Sequence, residues 1–490
     1  MARAMTANIP TANTVTDNDQ TASPESTEYL AHLQRFSANS GNVVITANVV
    51  NAQGVLLVAK GERLTESHTQ KIIRHKLARP IEECVGLEPM LHPKSLKQRI
   101  DELLAQRPDV AECIQVSKAS IGLMPCLVFV NTFPIVIQKL TVLEASMVHV
   151  YEQALINALL CLCVGNVLEY DKATTAKLFL IALCENISYL HLHQELGKAA
   201  NPPAHLLKEY FVHPIVGQTM FEAVGNIPAS VLGGIGAHHE RVDGTGFPRM
   251  LRGKQIPTAV HITGIVDEWT KSMLFKDSNG PNNLLDAARI LQFKRAHFTE
   301  HIFNTVMRLA GKLTKTPSRV SVPTDLKALA QRELDKYCDC LIFCDVIARL
   351  SDAAALDLQN PSVYRIGALS SGLIKSIFAS GMLANVTCQI INNMLREPDE
   401  ALLPEIVEIG YCHTSVLEQA EHILQILDYM LTDQHWLDQD SKARSSLQAC
   451  HLFASHLNTT RNNTQVWAVL RNEVLENEKD LATIIATLRA

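Results

Sequence analysis

A chain of 490 residues exceeds what one ordinary hydrophobic core supports, so several domains are expected. Apolar residues at 47% against charged residues at 19% exclude a disordered chain. A net charge of −6 excludes a general nucleic-acid binder, which needs clustered Lys and Arg, and twelve cysteines without the frame of a secreted mini-domain point to free thiols in a reducing compartment.

Residues 1–40 open on a polar, Thr/Asn-rich stretch that lacks the apolar core of a secretory signal, so a cytoplasmic protein is expected. They read as a disordered or variable segment that turns towards helix near Tyr29 to Phe36. Residues 41–90 read as a small α+β module. NVVITANVV and VLLVAKG form two short strands joined by the turn Asn51-Ala52-Gln53-Gly54, and Thr65 caps a helix over 67–77. Residues 91–140 read as a helical connector. Its apolar run from Ile121 to Ile137 is broken by Pro125, Asn131 and Pro134 and is marginal for a bilayer, so it is taken as buried core, and no membrane span is expected.

From 141 to 311 the apolar spacing is helical throughout, with Leu155, Leu159 and Leu162, then Leu178 and Ile181, recurring every three or four residues. TKTPSRVSVP marks a linker at 312–323. A second helical region, 324–490, follows with segments near 324–350, 361–396, 403–432, 441–458 and 464–488, and it contains no catalytic motif. Its Cys338, Cys340 and Cys344 share a helical face poorly and are read as helix core. The predicted fold class is mostly α: a helical bundle with a small N-terminal β-containing module and a C-terminal helical region.

The sharpest feature is the run from His238 to Pro248, HHERVDGTGFP. Adjacent histidines at a helix end approach one point from different directions, and the glycines let the following loop fold back over it. The run resembles the HHExxDGxGYP signature of the HD-GYP family, with Phe247 in place of the tyrosine. Phe211 to Gly217 resembles that family's THPxxG element, and Ile265-Val266-Asp267 resembles its VAD element. The resemblance implies an HD-type bundle over 141–311 and a metal-dependent phosphodiesterase acting on cyclic di-GMP. It implies metal ligands at His213, His238, His239 and Asp267.

The same register exposes departures. Glu185 and Asn186 stand where the family's His-Asp pair belongs, and Gln153 stands where its first histidine belongs. His149, one turn earlier, is a candidate substitute. A neutral amide at 186 cannot clamp two divalent cations as a bridging carboxylate does. Arg241, Asp243 and Arg249 are candidates for substrate binding or simply a solvated loop, and Lys276 falls where a phosphate-binding arginine is common. The resemblance and its losses together imply a degenerate HD-GYP-like signalling protein. It would act as a sensor of cyclic di-GMP or a related dinucleotide, or as a regulator of partners such as a diguanylate cyclase domain, with weak or no hydrolysis. One divalent transition metal (Fe, Mn or Zn) or none would be bound. The alternative is an active phosphodiesterase with an altered metal site, in which Asp267 and Glu185 are catalytic.

Overall fold

In helix α1 (Pro24–Asn39), Tyr29, Leu30, Leu33 and Phe36 recur every three or four residues and are all buried, so the helix is held by one apolar face. The computed structural model describes residues 24–198, 202–274, 283–314, 325–432, 441–462 and 464–476. The segment expected to be variable, 1–40, therefore ends in a docked helix, while 1–23 lie outside the described residues.

The module that follows contains β1 (Asn42–Ile45), β2 (Val49–Val50), β3 (Leu56–Val58), α2 (Glu66–Ile73) and β4 (Val85–Glu88). The expected hairpin is β2 with β3. Asn51 Oδ1 holds its turn by accepting from the backbone N–H groups of Gln53 (3.0 Å) and Val55 (2.8 Å). Thr65 caps α2 as expected, its hydroxyl accepting from His68 N. A second antiparallel pair, β1 with β4, runs from Asn42 opposite Glu88 to Ile45 opposite Val85. Four residues of β4 are too few to display an alternation, which is why the sequence did not announce it.

Helices α3 (Pro93–Gln106), α4 (Pro108–Val116) and α6 (Pro134–Ser146) each begin on a proline, whose missing N–H costs nothing at that position. Between them, α5 (Ser120–Val130) corrects one expectation. The run Ile121 to Ile137 is not wholly core, because Ile121 is 84% and Val128 57% exposed while Cys126, Leu127 and Val130 fill the inner face. Helix α6 docks the module onto the bundle. Gln138 Nε2 donates to the carbonyls of Glu82 (3.0 Å) and Val85 (2.9 Å), and the buried Lys139 ammonium pairs with Glu82 at 2.7 Å.

The bundle comprises α7 (Val148–Val167), α8 (Lys172–Cys184), α9 (Leu207–Val224), α10 (Ala229–Ile235), α11 (Thr258–Leu274), α12 (Leu284–Leu291) and α13 (Glu300–Ala310). Helix α7 is mostly apolar on every face and, apart from Glu152, is buried from Val150 to Gly165, with only its ends reaching solvent. Among the described residues it is the one single helix long and apolar enough to cross a membrane, and 83% of that stretch is buried inside the fold. Two bent helix pairs pass the same test only if each is taken as one span. Helices α7, α8 and α11 pack against one another and bring Gln153, Asn157, Glu185, Asn186 and Asp267 into the interior.

The described C-terminal region consists of α14 (Leu326–Ala354), α15 (Pro361–Ser380), α16 (Asn385–Arg396), α17 (Leu403–Thr432), α18 (Arg444–Arg461) and α19 (Thr464–Glu476), close to the expected segments, while the part of the last one beyond 476 lies outside the described residues. Asp325 caps α14, Asn360 caps α15, and Gly381 ends α15 at a φ of +67°. Cys338 and Cys340 are buried in α14, in keeping with a core role. Most of the expected linker, from 315 onward, lies outside the described residues. These helices lean on the bundle: α15 packs on residues 292–297, α17 packs on α12, and Arg289 pairs with Glu408 at 3.1 Å.

Candidate metal centre

His213 from α9 and His238 and His239 from just beyond α10 are buried, and one ring nitrogen of each falls within 4.8 Å of the others. The backbone fixes the first two rings. His213 Nδ1 lies 2.6 Å from the Tyr210 carbonyl and His238 Nδ1 lies 2.8 Å from the Ile235 carbonyl, so each Nδ1–H donates and each Nε2 is left with a bare lone pair. Those two Nε2 atoms face each other at 3.1 Å, and His239 Nε2 has no partner. Burial holds all three imidazoles neutral, well below the usual range for His213 and His239 and at about 4 for His238. Two lone pairs aimed at each other and a third unpartnered nitrogen call for a cation, and a backbone carbonyl behind a ligating ring is the usual way its tautomer is set. The residues therefore fit one divalent ion on His213, His238 and His239.

They do not fit two. The Asn186 amide is buried, and neither its oxygen nor its nitrogen has a partner. Asp267, expected as the carboxylate ligand, is engaged elsewhere: its Oδ1 accepts from Gln153 Nε2 (2.8 Å) and Asn157 Nδ2 (3.2 Å). Its Oδ2 lies 2.8 Å from the ammonium of Lys271, one turn on along α11, off the hydrogen-bonding direction. Burial pulls the Lys271 ammonium towards neutrality, but Asp267, with Tyr210, Tyr189 and Glu268, holds it well above the usual range, so it is charged. A side-chain cation thus sits on the carboxylate that a metal would use, near enough to help keep the three imidazoles neutral. Glu185 donates no charge. Burial, and after it the neighbouring Asp267, pushes its carboxyl well above the usual carboxylate range, and it meets only Asn157 Nδ2, at 2.6 Å.

The other expected site residues separate. His149 stands exposed at the start of α7, outside the histidine cluster, and does not replace the lost ligand. Arg241 is structural: buried, it donates to the His238 and Glu240 carbonyls and pairs with Glu268 at 3.0 Å. Asp243 closes its own turn by accepting from the Thr245 N–H (3.0 Å) and hydroxyl (2.7 Å). Arg249 reaches Gln218 Oε1 at 2.8 Å. Lys276 lies outside the described residues. The loop itself depends on Gly246, where a Cβ would fall 2.4 Å from both His239 O and Arg241 N.

Two residues that sequence reasoning missed come from the far end of the chain. Tyr364 Oη donates to the Asp243 carbonyl (2.9 Å) and Arg365 Nε to the Thr245 carbonyl (2.8 Å), while Arg252 lies over the Tyr364 ring at 3.7 Å. Nothing local in the sequence marks them. Lys271 did carry a signal, the i,i+4 spacing from Asp267.

Residues 139–302 match the HD domain family. Within that match, the run from His238 to Pro248 resembles the HD-GYP signature, with Phe247 at the tyrosine position. A solved HDG"Y"P protein from Bdellovibrio bacteriovorus is similar at 15% identity, over 56% of this chain and 94% of that one, with a TM-score of 0.31. No curated protein matches.

Proposed function

We propose that this is a degenerate HD-GYP-like signalling protein that works in the cytoplasm as a cyclic-dinucleotide sensor or protein-interaction regulator, with weak or no hydrolysis. The observation that carries the reading is the exchange of charges around Asp267: Lys271 supplies a fixed ammonium at 2.8 Å, and the position of the bridging anion is a neutral amide with no partner. Metal-assisted phosphodiester cleavage draws on two ions that stabilise the attacking and leaving oxygens. One ion on His213, His238 and His239, whether Fe, Mn or Zn, would supply Lewis acidity at a single point. Around it, burial and the neighbouring Asp267 favour the uncharged form of Glu185, and Asp267 is paired with Lys271, so neither side chain is placed as a free general base.

Metal analysis of the purified chain, coupled to a cyclic di-GMP turnover assay, tests this. The expected result is at most one ion per chain and no cleavage above background. Two ions per chain with cleavage abolished by His239→Ala would establish instead the alternative, an active phosphodiesterase with an altered site.

A further inference from the structure

A cavity of about 260 Å³ lies between the bundle and α14, α15 and α17, and it adjoins the candidate metal centre, since His239 is part of its lining. Five cationic side chains line it, Arg241, Lys271, Lys294, Lys336 and Arg365, against two carboxylates, Glu268 and Glu418. Four of the five cations are committed. Arg241 and Lys294 pair with Glu268, Lys271 pairs with Asp267, and Lys336 pairs with Glu333.

Arg365 differs. It is 3% exposed, stacks over the Phe211 ring at 4.5 Å, and spends Nε on the Thr245 carbonyl. Its Nη1 has no partner, and among the described residues no carboxylate lies within ion-pair distance of its guanidinium. On the same lining, buried His422 Nδ1 is also unpartnered. Leaving a buried charged donor unsatisfied is costly, and it is ordinarily explained by a water or ion that completes it. Apolar side chains complete the lining, among them Phe247, whose ring lies 5.6 Å from the Arg365 guanidinium, with Phe298, Ile423 and Ile426.

We propose that this cavity is a binding site for a small phosphate ester, with Arg365 anchoring the phosphate and the Phe247 and Phe298 rings taking the organic part. A phosphate offers oxygens enough for the free arm of a guanidinium and a neighbouring imidazole together, and its charge balances the excess of cations. The volume lies under the roughly 300–1,000 Å³ of drug-sized pockets, which sets the ligand as a compact one. The proposal goes beyond the function above, since it needs neither metal nor cyclic dinucleotide. It gives the C-terminal helices a share in a ligand site.

Calorimetric titration of the full chain in EDTA, with inorganic phosphate and with phenyl phosphate as probes, tests it. Phenyl phosphate is expected to bind more tightly than phosphate, and Arg365→Ala to weaken both by about tenfold or more through loss of charge-assisted hydrogen bonds. If Arg365→Ala loses its helical circular dichroism, Arg365→Lys carries the same test, because it keeps the charge and lacks the fork. The proposal is overturned if neither probe binds, or if the folded variant binds them as the wild type does. With metal chelated, such a failure leaves the metal and turnover reading untouched.

Discussion

Replacing Lys271 by methionine keeps the length and apolar stem of the side chain and removes only its charge. In the wild type that charge faces Asp267 Oδ2 at 2.8 Å, inside α11, with Asp267 fully buried and Lys271 nearly so. Removing one member of a buried pair strands the other, at a cost of about 3–5 kcal/mol. Gln153 and Asn157 still donate to Oδ1, which sets the expectation at the lower end of that range. The stranded carboxylate lies in the same interior as His213, His238 and His239, so the variant should gain affinity for a divalent cation. Excess metal at 100 times its Kd returns about 2.7 kcal/mol. Urea unfolding at pH 7, followed by circular dichroism in EDTA and again with Zn²⁺ or Mn²⁺, reads both effects. A loss under about 1 kcal/mol in EDTA, or equal metal stabilisation of wild type and Lys271→Met, would show that Lys271 does not hold the place of a cation.

Asn186→Asp restores an anion at a buried position, and it should destabilise the metal-free chain while raising bound metal above one ion per chain, measured by elemental analysis. Gly246→Ala drives a methyl into backbone at 2.4 Å, and chemical denaturation should show a loss of about 1–3 kcal/mol, with the His238 and His239 cluster perturbed. Glu82 sits at about 2 instead of the usual 4.5, because the Lys139 charge and hydrogen bond, with His191, outweigh the burial that raises it. Its depressed value contributes stability that is full above 4.5 and lost as pH falls towards 2, roughly 3 kcal/mol in all. Glu82→Gln should flatten that acid limb in pH-dependent denaturation while the rest of the profile stays in place.

What was legible in the sequence was whatever lay on one helix or one loop. The run from His238 to Pro248 carries its chemistry in eleven consecutive residues, and His213 followed from the resemblance of Phe211 to Gly217 to the THPxxG element, so the three histidines that the structure brings together were named from the sequence. The replacements at 153, 185 and 186 were also visible. Their consequence was not: Gln153 donates its amide to Asp267 and thereby helps to occupy the carboxylate, a contact across 114 residues. His149 failed for a local reason. It lies in the first turn of α7, about 6 Å along the axis from its supposed equivalent, and that end of the helix meets solvent. The C-terminal helices were placed correctly by apolar period, yet their grip on the loop after the histidines depends on pairings some 120 residues apart, which no periodicity encodes.

The hydrogen bonds of that grip engage main-chain oxygens. Tyr364 and Arg365 hold Asp243 and Thr245 by their carbonyls, and every amino acid has one. The side chains at 243 and 245 can consequently change without removing the two accepting oxygens, whereas a change at 364 or 365 removes a donor at once. Selection for a covered loop would therefore leave its mark on α15, far from the residues by which the domain is recognised.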